Sequence, residues 1–328
     1  MAENVLVLIH GMVADPSPHS HDETYSRFVE GLFGHEPRLR GLFGDGEQRI
    51  VKVEWGHDVA GPGADLRPDQ RLAGAQRFVA SRVAYDAVRE HPDALNVVLR
   101  GLRGDWNLTG SRFVTRPVRE KLIQFGLADA VYYTSEDGER QVRAAVYEQI
   151  LSGLEPFVGA AEVRLHVVSH SLGVAVAHDL LYGLFAPGHA PDFATGAGQG
   201  SARGQESFRG WRTRAQGSAL ELGTFVSMAS QLPLFVLRKQ KLVDRLHEGR
   251  LLDPGVIGVS GHHVQWLVFY DIDDVLGFAT RRLYEPATGI KEMQVDSGDF
   301  PSSAHTGYWE NKAVLRESAA RIYENAIR

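Results

Sequence analysis

Short apolar runs alternate along the chain with longer stretches in which apolar positions recur every three or four residues. The runs occupy residues 5–9, 50–55, 163–168, 224–229, 264–270 and, less apolar, 291–295. Runs of this length, bounded by turn residues, read as strands. Val142, Val146, Ile150 and Leu154 form one stripe at helical spacing before the third run. Residues 174–184 make a mostly apolar helix directly after it. Leu315, Ala319, Ile322 and Ala326 mark one face of a last helix, placed to pack on the sheet and close the domain. This rhythm predicts an α/β fold with a mostly parallel central sheet flanked by helices.

Two stretches break the rhythm. Residues 57–137 hold no clear strand and carry Gly61-Pro62-Gly63 near their start, although 73–90 reads as helical. Residues 187–217 are rich in Gly, Ser, Ala and Arg, with seven glycines. So little apolar surface predicts a flexible loop, with Arg203, Arg209, Arg212 and Arg214 solvated. The reading is one domain over residues 1–328, with 57–137 as a candidate cap and 187–217 as a flexible insertion.

The chemistry centres on Val167-Val168-Ser169-His170-Ser171-Leu172-Gly173. An apolar strand runs into an apolar helix with almost no loop. Such a turn forces its central residue into a strained conformation and lifts its side chain off the sheet. Small residues two before and two after, here Ser169 and Gly173, let strand and helix approach. Ser171 is the candidate nucleophile, and Ser rather than Gly opens the motif. The bland alternative for Ser171 is a helix N-cap. Acyl transfer also needs two backbone N–H groups aimed at the carbonyl oxygen. Leu172, after the nucleophile, offers one. Met12, in His10-Gly11-Met12 after the first strand, offers the other.

These two motifs resemble the α/β-hydrolase superfamily, closest to bacterial lipase-like and esterase-like serine hydrolases. The resemblance covers the strands near both ends and the middle of the chain, and leaves out 57–137 and 187–217. It implies an α/β-hydrolase fold with cap-like or lid-like insertions, and a chain order of Ser, acid, His. The acid is expected in the turn after the fifth run, Asp271-Ile272-Asp273-Asp274. Asp273 fits the spacing best, with Asp274 and Asp271 as alternatives. The base is expected before the last helix, where His305 stands in Ser303-Ala304-His305-Thr306-Gly307-Tyr308-Trp309. His170 lies in the turn itself and is placed to line a pocket. The activity implied is cleavage of a carboxylic ester, the substrate a small-molecule ester or lipid-like compound, and no cofactor or metal is required. Acyl transfer and thioester hydrolysis share this machinery. A binding protein that kept the fold is a reading of another class.

Composition narrows these options. A chain of 328 residues with net charge −6 has no excess of positive charge for a broad nucleic-acid surface. It holds no cysteine, which excludes disulfides, thiolate catalysis and Cys-based zinc sites. His19-Ser20-His21-Asp22 brings two imidazoles and a carboxylate together without a second ligand pair at metal-site spacing, and reads as a polar loop. The apolar run at residues 5–9 is too short for a signal peptide or a transmembrane helix. No transmembrane segment and a cytoplasmic location are therefore expected.

Overall fold

The computed structural model describes residues 2–11, 21–44, 49–55, 136–187, 202–233, 251–274, 277–298 and 301–328. Its centre is a six-stranded sheet: β1 (Glu3–Ile9), β2 (Ile50–Val53), β3 (Val163–His170), β4 (Leu220–Met228), β5 (Trp266–Tyr270) and β6 (Ile290–Gln294). The order is β2-β1-β3-β4-β5-β6, and every neighbouring pair is parallel. Each of the six strands read from the sequence is present, with ends moved by a few residues.

Parallel strands need crossovers, and these put helices on both faces. The strands separate their side chains accordingly. Val5, Val7 and Ile9 of β1 join one core, while Leu6 and Leu8 join the other. The first core is covered by α3 (Glu136–Leu154), α4 (Leu172–Phe185) and α5 (Ala202–Gln216). The second is covered by α1 (Asp22–His35), α2 (Leu39–Phe43) and α7 (Lys312–Ala326). A short helix, α6 (Pro301–Thr306), precedes α7. Among the described residues, no helix is long and apolar enough to cross a membrane.

One irregularity resets the alternation. Leu165 pairs with Leu222 but His166 pairs with Thr224, so Gly223 is an extra residue in β4. Leu220 and Leu222 face the first core before this bulge, and Phe225 faces it afterwards. Gly is required there, because a Cβ would lie 2.5 Å from Cε1 of the His166 ring. The bulge thereby makes room for a buried imidazole.

The insertion at 187–217 is not a flexible loop throughout. Residues 202–216 form α5, and Phe208 and Trp211 are buried on it. Two large aromatics suffice to dock a helix whose other face is polar. Its arginines are also not simply solvated. Arg212 donates to the carbonyls of Gly183 and Ala186. Arg214 donates to those of Val158, Ala160 and Ala219. Residues 188–201, and 57–135 of the candidate cap, lie outside the described residues.

Candidate active site

All strands end on one side of the sheet, and the order reverses between β1 and β3. In open parallel sheets, ligand crevices form outside the carboxyl ends at such a reversal. The sequence-predicted residues gather there. Ser171 is the single residue between β3 and α4, with φ 54° and ψ −126°. That conformation is costly for a side chain other than Gly, on the order of 1–3 kcal/mol, and persists only where surroundings enforce it. Here they do. The Ser171 N–H donates to Met228 O at 2.9 Å, and Val174 N–H donates to Ser171 O at 3.0 Å. Gly173 sits so close that any Cβ would run into the His10 carbonyl oxygen, and a Cβ on Gly11 would lie 2.5 Å from that of Ser171. Two glycines therefore let α4, β3 and the end of β1 meet at the turn. Ser169 is buried in the sheet, where its hydroxyl donates to Val226 O at 3.3 Å.

His305 stands on α6 and reaches Ser171, its Nε2 lying 2.9 Å from Oγ. Its Nδ1 lies 2.9 and 3.1 Å from the two oxygens of Asp274. Since Nδ1–H must donate to the carboxylate, Nε2 is left as the acceptor of the Ser171 proton. Tyr308 donates a second hydrogen bond to Asp274 at 3.1 Å, and burial pushes the Tyr308 phenol well above its ordinary value.

Asp274, and not the favoured Asp273, is the aspartate that lies against His305. Asp273 is exposed, whereas Asp274 is 0% exposed. The cause is the third aspartate. Asp271 accepts the N–H of Asp273 at 2.9 Å and that of Ser297 at 2.5 Å, which ties the turn down. The Asp274 N–H closes the turn on Asp271 O at 3.3 Å, and this directs Asp274 inward.

His170 does not present a free imidazole to a pocket. It is buried, and its Nε2–H donates to the carbonyl of His305 at 2.6 Å. Burial, reinforced by neighbouring His305, pulls its pKa down to about 3, so it serves as a neutral brace for α6. Leu172 is the first residue of α4, and first-turn N–H groups have no acceptor within their own helix. Met12 lies outside the described residues. The chain just before it is held firmly. His10 N–H donates to the Tyr25 hydroxyl at 2.7 Å, and Trp55 Nε1–H donates to His10 O at 3.1 Å.

The sequence reading missed Tyr25, Trp55, Tyr308 and one further contact. Gln231, on the turn after β4, places Nε2 3.1 Å from Ser171 Oγ. Tyr308 lies in the motif around His305 and gave the one available signal; the others belong to no motif.

The chain matches no protein-family model, no curated protein and no solved structure. The functional reading therefore rests on geometry.

His10, His21 and Glu54 bring three metal-ligating atoms within 4.8 Å of one another. The rings of His10 and His21 are stacked, 3.6 Å apart and 5° from parallel. Imidazole lone pairs lie in the ring plane, so two stacked rings cannot both aim at one ion. His10 Nε2 also accepts the Trp55 N–H at 3.2 Å. The cluster is instead an aromatic stack that ties the start of α1 to the end of β1.

Proposed function

We propose that the protein is a serine hydrolase of the α/β-hydrolase type that cleaves a carboxylic ester through an acyl-enzyme on Ser171. The observation that carries this reading is the continuous hydrogen-bonded chain from Ser171 Oγ through His305 to Asp274, starting on a strained strand–helix turn. The three groups follow the chain order Ser, acid, His, each beyond the end of a parallel strand, which supports the resemblance drawn from the sequence.

In this mechanism His305 Nε2 takes the Ser171 proton as Oγ attacks the acyl carbonyl. The Leu172 N–H meets the developing oxyanion, with the Met12 N–H as the second donor expected from the sequence. Asp274 holds the tautomer and stabilises the imidazolium. His305 then protonates the departing alcohol. A water deprotonated by His305 attacks the acyl-enzyme, and its collapse returns the acid and free Ser171.

Hydrolysis of a series of p-nitrophenyl esters tests the proposal. Ser171→Ala is expected to lower kcat at least about 10⁴-fold with its circular dichroism unchanged. A fluorophosphonate is expected to label the wild type and not this variant. Undiminished turnover, or equal labelling of the variant, would overturn the assignment.

A further inference from the structure

Gln231 is 1% exposed, and the two ends of its amide are treated differently. Ser171 Oγ has one proton, directed to His305 Nε2, so the amide neighbouring it must donate. That fixes Nε2 at Oγ and leaves Oε1 over. Oε1 is buried and has no hydrogen-bond partner among the described residues. A buried carbonyl oxygen without a partner is costly, and native structures seldom keep one without a use. Because both amide atoms share one carbon, Oε1 lies within roughly 5–6 Å of Ser171 Oγ.

The turn carrying Gln231 is firmly built. Ala229 has φ 51°, its N–H donates to Phe269 O at 3.2 Å, and Phe278 N–H donates to Ser230 O at 2.9 Å. Topology sets the direction. Gly11 follows β1 and Gln231 follows β4, on opposite flanks of β3. Gln231 thus approaches Ser171 from the flank opposite Gly11. Ser171 is itself only 1% exposed, so Oγ and Oε1 are both buried, a few ångströms apart.

We propose that Gln231 Oε1 accepts a hydrogen bond from an N–H or O–H on the α-carbon of the acyl group, making esters of α-acylamino or α-hydroxy acids the favoured substrate class. This rests on the serine hydrolase reading above. A site built to bond such a donor discriminates against the analogue that lacks it, because its own polar atom is then left unpaired.

Two matched pairs of p-nitrophenyl esters test the inference. N-acetylglycine is paired with 4-oxopentanoate, which replaces N–H by CH₂, and 2-hydroxybutanoate with 2-methylbutanoate. The kcat/KM ratio within each pair is divided by the ratio for hydroxide alone, which removes intrinsic reactivity. The wild type is expected to favour the donor-bearing ester about tenfold or more in at least one pair. The pair that responds tells N–H from O–H. Gln231→Met is expected to bring that preference close to one. A wild-type preference near one in both pairs would overturn the proposal, even if the variant does not fold. So would a preference that survives in Gln231→Met. Turnover without discrimination sinks this inference alone, whereas absent turnover of all four esters, with no fluorophosphonate labelling, sinks the hydrolase reading and this inference with it.

Discussion

A carboxylate that accepts an imidazole N–H selects the tautomer whose other nitrogen can take a proton. Asp274 stands in that position toward His305, and Asp273 does not. An amide at 274 would offer its NH₂ to the ring and favour the wrong tautomer. Asp274→Asn is therefore expected to lower kcat/KM for a p-nitrophenyl ester about 10³- to 10⁴-fold. Asp273→Asn, a change on the exposed side of the turn, is expected to stay within about threefold. Equal losses in the two variants would contradict the assignment. Ser171 and His305 were legible because each is framed locally: a strand, a small residue and a helix around one, a terminal helix after the other. The acid was not, because three aspartates share one turn. What decides between them is Ser297, which binds Asp271 from 26 residues further on. Gln231 carried no local signal at all, since its part is fixed by the strand order.

At the level of elements, the helix that begins at Ser171 must also end well. The last carbonyls of a helix have no intrahelical donor. On α4 those of Gly183 and Ala186 accept from Arg212, and those of Leu184 and Phe185 accept from Gln216 Nε2 at 3.1 and 3.2 Å. All these donors lie on α5. A second tie crosses to α3, where Arg143 and Asp179 form a buried ion pair. The anchor of α5 is its aromatic face, with Phe208 stacked on Tyr147 at 6.1 Å and Trp211 buried beside it. Trp211→Ala is expected to cost about 3–5 kcal/mol in urea denaturation, against about 0.5 kcal/mol or less for exposed Arg209→Ala. Similar small costs for both would mean that α5 is not docked. The six strands were legible because strands buried on both faces read as apolar runs. The helix α5 was hidden by its composition, for two aromatics among glycines and arginines raise the average too little. The helices α1 and α2, which precede β2, gave no stripe that was recognised.

Across the whole molecule, burial has placed two imidazoles where they cannot readily accept protons. His170 braces the site, and His166 sits in the sheet, its Nε2 3.0 Å from Asn4 Oδ1 and its Nδ1 3.2 Å from Thr224 Oγ1. Asn325 of α7 donates to the same Thr224 hydroxyl at 3.1 Å and to Gly223 O at 2.9 Å, so this network fastens the last helix to β4. Desolvation holds both imidazoles at about 3, below the ordinary 6.5. The unfolded chain therefore binds these protons first, and stability falls as pH drops from 6.5 towards 3, while above 6.5 the effect is absent. Each unit of separation corresponds to about 1.4 kcal/mol. At pH 5, still above the ordinary carboxylate range, the two together have removed on the order of 4 kcal/mol, a large share of a typical domain's stability. The urea midpoint is thus expected to be flat from pH 8 to 7 and to fall steeply between 6.5 and 5. His166→Gln, which cannot take up a proton, is expected to roughly halve that slope while lowering the midpoint at neutral pH through lost contacts. A midpoint unchanged down to pH 5 would show that neither imidazole is held neutral by the fold.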